Sequence, residues 1–441
     1  MSSAVRKRTL RPRTLLIGAS LVLVLLAAVA WGGRQEILYA RSLHRTEGSR
    51  ALFTWLRDHV LGLSRSPYVW EGAEPEDEGL DGVELDGLKD DLARRGTRAF
   101  LLLKNDRIVY EWYSAESGPE RPHSIAALGK AVTGGMILLL ALQDERIGLE
   151  DPATRYIPQW IDDPIKSRIT IGQLARHTSG LDDVRFGGKY EGWKELYRKD
   201  RDVRFPMVLS TVPVIFDPDS RYSYSGAGYY ALSYALSSSL KSASQPSLKT
   251  MLTERLMDPL GIPRTSWHMG YGDVYELDGL RLYAIGSGGS YSARAVARLG
   301  QFMLHRGRWN GQQIVSPELV DALLTANQPP PSWAFDDAEP APAFGWWVNS
   351  DGFWPAVPKD ACIGAGMGHQ VLLVIPSLDL VAVRMGGALE EPRKWGPEYW
   401  DALGEHFLEP LMRAIGVIPL AGPVTASANE GSEPLKGTDR P

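Results

Sequence analysis

A single cysteine, Cys362, stands in a chain of 441 residues. No intramolecular disulfide can form, and no site built from several cysteines exists. Histidine is also sparse. The 8 histidines show neither zinc-ligand spacing nor an H-E-x-x-H pair, so no metal centre is expected. An excess of basic charge is missing too: 48 basic against 53 acidic residues give a net charge of −5, which removes the electrostatic footprint of a nucleic-acid binder. Internal repeats are absent. Hydrophobic residues at 44% and charged residues at 23% describe a folded globular chain, in one large or two intimate domains.

Long apolar runs are rare, which makes the one near the start informative. Leu15 to Trp31 carries no charge and is long enough to span a bilayer as a helix. Arg6, Lys7, Arg8, Arg11 and Arg13 precede it, and a basic flank stays cytoplasmic. Residues 1–33 are therefore expected to be a membrane anchor, or a signal segment cleaved at Ala28-Val29-Ala30. Either form puts the main domain on the extracytoplasmic side, as a single-pass protein or as a secreted one. Residues 34–82 read as a membrane-proximal helical segment followed by an acidic linker, Glu71 to Gly82, expected to be a solvated spacer. Residues 83–420 form the main domain, and 421–441, rich in Gly, Pro, Ser and Glu, read as a disordered tail.

Within the domain, Ala99–Leu103 and Ile108–Tyr113 are β-rich runs split by Lys104-Asn105-Asp106-Arg107, a hairpin signature. A second hairpin is expected late, from Val371–Ile375 and Leu380–Arg384 around Pro376-Ser377-Leu378-Asp379. A helix from Ala127 to Gln143 is apolar on all sides over Met136–Leu140, so it should be central and buried. Another is expected over Pro397–Ile415. Strands at both ends and helices between them predict an α/β (α+β) fold: one antiparallel sheet made from the two chain ends, flanked by helices, with a mostly helical inserted subdomain.

Three short segments carry candidate chemistry. The first is His123-Ser124-Ile125-Ala126-Ala127-Leu128-Gly129-Lys130-Ala131-Val132-Thr133-Gly134. The second is Tyr222-Ser223-Tyr224-Ser225-Gly226-Ala227-Gly228-Tyr229. It also fits a loose G-x-G-x-x-A dinucleotide pattern, but no βαβ unit surrounds it, so no nucleotide cofactor is expected. The third is Gly364-Ala365-Gly366-Met367-Gly368-His369-Gln370. Between them lie Gly148-Leu149-Glu150-Asp151-Pro152 and Ile169-Thr170-Ile171-Gly172-Gln173-Leu174-Ala175-Arg176-His177-Thr178-Ser179-Gly180-Leu181.

In this order the segments resemble the class C β-lactamase and penicillin-binding-protein superfamily of serine hydrolases, nearest in style to members like 6-aminohexanoate-dimer hydrolases. The resemblance covers roughly residues 90–415. It implies that Lys130 is the lysine of the S-x-x-K motif. Residues three apart share a helix face, so that amine can take a proton from the motif serine. Tyr224 takes the tyrosine position of the Y-x-N loop and would relay the proton. The backbone amides of Ala127 and Met367 would form an oxyanion hole. Gly226 (in place of the usual asparagine), Gly364, Ala365, Gly366 and His369 would line the substrate pocket. Gly364 stands where β-lactam-recognising members carry a lysine, so the cation that would grip a lactam carboxylate is missing.

The serine position is Ala127. A methyl group cannot perform acyl transfer, and loss of such a nucleophile costs about 10⁶ in kcat in a different serine hydrolase. Ser124 lies six residues before Lys130, a rotation of roughly 600° that leaves it on another face, where a cap or local backbone bond suits it better. His177 and Cys362 read as structural. Trp346 and Trp347 fit the cleft wall or the core equally. The sequence thus predicts a hydrolase framework for a small amide or ester that is inactive as written. A natural pseudoenzyme serving as an extracytoplasmic ligand-binding module is the alternative, and a membrane-tethered scaffold a third.

Overall fold

The computed structural model describes residues 68–183, 200–241, 247–325, 339–391 and 396–418. The N-terminal basic cluster, the apolar run, the membrane-proximal segment up to residue 67 and the tail 421–441 lie outside them.

Seven strands form the central sheet: β1 Thr97–Lys104, β2 Arg107–Tyr113, β3 Ala341–Pro342, β4 Trp347–Val348, β5 Cys362–Gly366, β6 Gln370–Ile375 and β7 Leu380–Gly386. Every pairing is antiparallel, in the order β3-β4-β5-β6-β7-β1-β2. The two chain ends meet at β1 and β7, where Leu103 lies opposite Val381. The expected sheet, made from both ends of the chain, is the one observed. The first hairpin turns through Asn105 and Asp106, both at positive φ (50° and 64°), the geometry that matches the twist of two-residue hairpins.

The strands read as continuous apolar runs because both faces of the sheet are covered. Ala99, Leu101 and Leu103 of β1 join one core, while Phe100 and Leu102 join the other. Helix α1 (Gly82–Arg94) packs Leu85, Leu88 and Leu92 into the second core, along with the C-terminal helix that begins as α5 (Pro397–Leu403). The first core holds α2 (Met136–Gln143), α3 (Gly226–Ser239) and α4 (Ala293–Leu304). The helical insertion lies on this face.

Helix α2 continues a 3₁₀ turn at Ala126–Leu128 and a π-helical stretch at Lys130–Gly135. Together they make the one helix among the described residues that is long and apolar enough to cross a membrane. It is 78% buried inside the protein, which makes it a core helix, as its apolar pattern predicts.

One expectation is corrected. The acidic stretch from Glu71 to Gly82 is no solvated spacer, and the folded domain starts before Val83. The Ala73 N–H donates to the Ile108 carbonyl, and the Ile108 N–H to the Glu71 carbonyl, so the segment is stitched beside β2. Glu78 pairs with Arg107 at 3.2 Å, and Trp70 and Leu80 are buried. A few apolar anchors outweigh the charge, which stays on the surface.

Candidate active site

The site lies where the central helix begins, between the end of β5 and the inserted helices. Residue Ala126 sits at φ 48°, a left-handed conformation that costs a non-glycine residue about 1–2 kcal/mol. Ala127 follows in the 3₁₀ turn, half-buried. Lys130, three residues on, opens the π-helical stretch and is fully buried. Its Nζ donates to the Tyr224 hydroxyl at 2.6 Å and to the Gly286 carbonyl at 2.7 Å. The nitrogen also lies 4.5 Å from the Tyr224 ring centroid and 5.1 Å from that of Tyr229. A buried amine needs such partners, since a buried polar group left without a hydrogen bond is costly.

Tyr224 comes from the loop before α3. Its ring stacks on His177 at 4.6 Å and faces Trp347 at 6.3 Å. His177, at φ 63°, accepts the Ser225 N–H on Nδ1 at 3.0 Å, and its carbonyl accepts the Ser223 N–H at 2.9 Å. Both neighbours of Tyr224 are thereby tied to one histidine. Ser225 then caps α3 by accepting the Gly228 N–H. Gly226, which has no side chain to take the asparagine's place, donates its N–H to Asp183 Oδ2 at 2.6 Å.

The opposite wall is β5 and the turn after it. Gly366 presses against the helix start. A Cβ there would collide with the Ile125 carbonyl and stand 2.8 Å from Leu128 N and 3.1 Å from Ala127 N. Met367, the next residue, is half-buried at the turn. Gly364 faces the same helix, and a Cβ there would lie 2.7 Å from Leu128 Cδ1 and 3.1 Å from Ala131 Cβ. A side chain there would have to displace that of Leu128.

Several expected site residues sit elsewhere. Ala365 points to the far face of the sheet and belongs to the second core, as strand alternation requires. His369 does not line the pocket. Its ring is buried, stacks on Tyr399 at 4.1 Å with 3° between planes, accepts the Leu389 N–H on Nδ1, and donates from Nε2 to the Tyr399 carbonyl. Burial pushes its pKa down to about 4, so it is neutral. The turn explains the misplacement: Gly368 and His369 both have positive φ (82° and 53°), which swings the side chain behind the strand. Ser124 does not cap the helix. It is exposed on a short strand opposite Ser290. Trp347 borders Tyr224 and is buried in the second core, while Trp346 is buried in the first. Cys362 is buried, with its thiol pKa pushed up to about 12 by desolvation.

Sequence reasoning missed Gly286, Asp183 and Tyr399. Gly286 opens a glycine-rich run, Gly286-Ser287-Gly288-Gly289, which could have flagged it. The other two act through long-range contacts that leave no local pattern.

Comparison with known proteins agrees with this architecture. A family model for beta-lactamase matches residues 85–394, and the chain belongs to that family. The 6-aminohexanoate-dimer hydrolase of Paenarthrobacter ureafaciens is 22% identical, over 76% of this chain and 83% of its own length. Among solved structures, one assigned as a 6-aminohexanoate-dimer hydrolase from Bacillus anthracis superposes with a TM-score of 0.60 at 19% identity, covering 84% of this chain and 96% of that one. EstCE1, described as a hydrolase with promiscuous acyltransferase activity, gives 0.55 at 16% identity, covering 74% and 97%.

Proposed function

We propose that this chain carries a β-lactamase-family acyl-transfer site for a small amide or ester, and that the site is chemically silent as written because Ala127 occupies the nucleophile position. The observation that carries the reading is the buried Lys130 amine, 2.6 Å from the Tyr224 hydroxyl and three residues from Ala127. With serine at 127, Lys130 would take the hydroxyl proton as the oxygen attacks the acyl carbon. Tyr224 would pass a proton to the leaving group, and the amides of Ala127 and Met367 would hold the oxyanion. Without that oxygen, the pocket binds its ligand and stops there.

An amide or ester is favoured over a β-lactam. Gly364 brings no cation to the position where β-lactam-recognising members carry one. The relatives named for 6-aminohexanoate-dimer hydrolysis and for promiscuous acyl transfer support the same class of substrate. The N-terminal basic cluster and apolar run support placing the domain outside the membrane. Protease added to spheroplasts should then cleave beyond residue 71, and full protection there would refute that topology.

The chemical test is labelling with a fluorophosphonate probe before and after Ala127→Ser. The unmodified chain should stay unlabelled, and the serine variant should lose fluoride from the probe and carry the phosphonyl group on residue 127. A serine variant that folds and stays inert toward ester, amide and fluorophosphonate alike would leave the pseudoenzyme reading, a binding module with a pocket decayed beyond position 127. Rapid nitrocefin turnover by that variant would overturn the substrate class.

A further inference from the structure

The peptide joining Gly366 to Met367 has two ends. Its N–H is the strand-side oxyanion donor of the proposed reaction. Its carbonyl, on Gly366, accepts a hydrogen bond from the Tyr399 hydroxyl at 3.1 Å. Tyr399 comes from α5, on the far side of the sheet from Lys130, and it is buried. Its ring is clamped flat against His369, which in turn donates to the Tyr399 backbone carbonyl.

The rest of the turn is tied down as well. The Arg384 guanidinium, fully buried, donates to the carbonyls of Gly368 and His369, both at 2.8 Å. Gln370 Nε2 donates to the Gly368 and Gly386 carbonyls at 3.0 and 2.7 Å. Burial keeps the Tyr399 hydroxyl protonated, as a donor must be.

We infer that Tyr399 is a positioning residue for the oxyanion hole: its hydroxyl holds the Gly366–Met367 peptide plane so that the Met367 N–H points into the cleft, and polarises that amide by bonding to the carbonyl at its other end. A hydrogen bond accepted by a carbonyl strengthens the N–H of the same peptide as a donor, the usual cooperativity of amide chains. A preorganised donor need not reorient as charge develops, which is where such sites gain their rate. The ladder alone leaves Met367 unpaired, because the pairing of β5 with β6 ends at Gly366–Gln370. The inference rests on the acyl-transfer reading above for its catalytic half only.

The variant is Tyr399→Phe, which keeps the ring on His369 and removes one oxygen. Two measurements separate the two halves. In the unmodified chain, labelled with ¹⁵N-methionine, the Met367 amide resonance is assigned by its loss in Met367→Leu. Tyr399→Phe should move that resonance and speed its hydrogen exchange, while the other methionine amides stay in place. In the Ala127→Ser chain, Tyr399→Phe should slow fluorophosphonate labelling about tenfold at saturating probe, with the half-saturating concentration unchanged. This is less than the roughly 10²–10³ lost when an oxyanion donor is removed outright. An unmoved Met367 amide overturns the inference whatever labelling does. A moved amide with an unchanged labelling rate overturns the catalytic half. If Ala127→Ser never labels, the hydrolase reading fails, and the amide resonance alone decides whether Tyr399 positions the peptide.

Discussion

The two walls of the cleft are built on opposite plans. On the helix side, side chains face inward: Lys130 and Tyr224 meet at 2.6 Å, with the Gly286 carbonyl as third member. On the strand side the wall is largely backbone, Gly364 to Met367, with side-chain support from Arg384, His369 and Tyr399 behind the sheet and from Gln370 beside the turn. One wall holds the reactive groups and the other holds a surface in place. On the proposed reading, the missing hydroxyl at position 127 belongs to the first wall, and the hydrogen bonds that hold the second do not depend on it.

The largest test of that contrast is to refill the gap. Ala127→Ser should raise fluorophosphonate labelling by about 10⁴–10⁶, read by intact-protein mass spectrometry. Strong labelling of the unmodified chain at Ser124 would instead show that the helix register has been misread. Next in size is the base. Lys130→Ala in the serine-restored chain should lose about 10²–10⁴ of the regained rate, while circular dichroism stays unchanged.

The frame should answer to pH and packing rather than to chemistry. His369 is neutral in the fold, with its pKa lowered by burial to about 4 from 6.5. In the unfolded chain it protonates near 6.5, so between those values the unfolded state binds the extra proton. Its contribution is fully present above pH 6.5 and is lost as pH falls toward 4, up to about 3 kcal/mol. Urea unfolding across that window should show the loss, and His369→Gln should flatten it. A slope identical in the two proteins would mean the ring is not held neutral. Smallest is Gly366→Ala, expected to cost about 1–3 kcal/mol by forcing β5 off the helix start. Differential scanning calorimetry measures it, and an unchanged midpoint would mean the strand has slack to give.

Much of the frame was legible in sequence, and the reason differs by element. The hairpins announced themselves through turn residues between apolar runs, and the central helix through an apolar stretch with no polar face. The meeting of Lys130 and Tyr224 was legible because the segments that carry them resemble family motifs. His369 was misplaced, because nearness in sequence to a pocket strand says nothing about which way a turn with two positive-φ residues swings. Tyr399 and Arg384 were invisible for a different reason. They act on backbone carbonyls 15 to 33 residues away, and a carbonyl carries no residue-type signature. The acidic stretch at 71–82 reads as a spacer because its charges outnumber its apolar anchors, Trp70 and Leu80, which fix it to the domain.

The pairing of β1 with β7 also sets a timetable. Leu103 must wait for Val381, about 280 residues later, which at ribosomal speeds of about 5–20 residues per second is roughly 14–56 s. Throughout that interval the first hairpin has an open edge and apolar side chains on both sides, the kind of surface that recruits a second chain. Closure comes late and all at once, when the last strands arrive. A nascent chain stalled before Leu380 should therefore accumulate on holdase chaperones, and the full chain, with the C-terminal helix laid over the second core, should not.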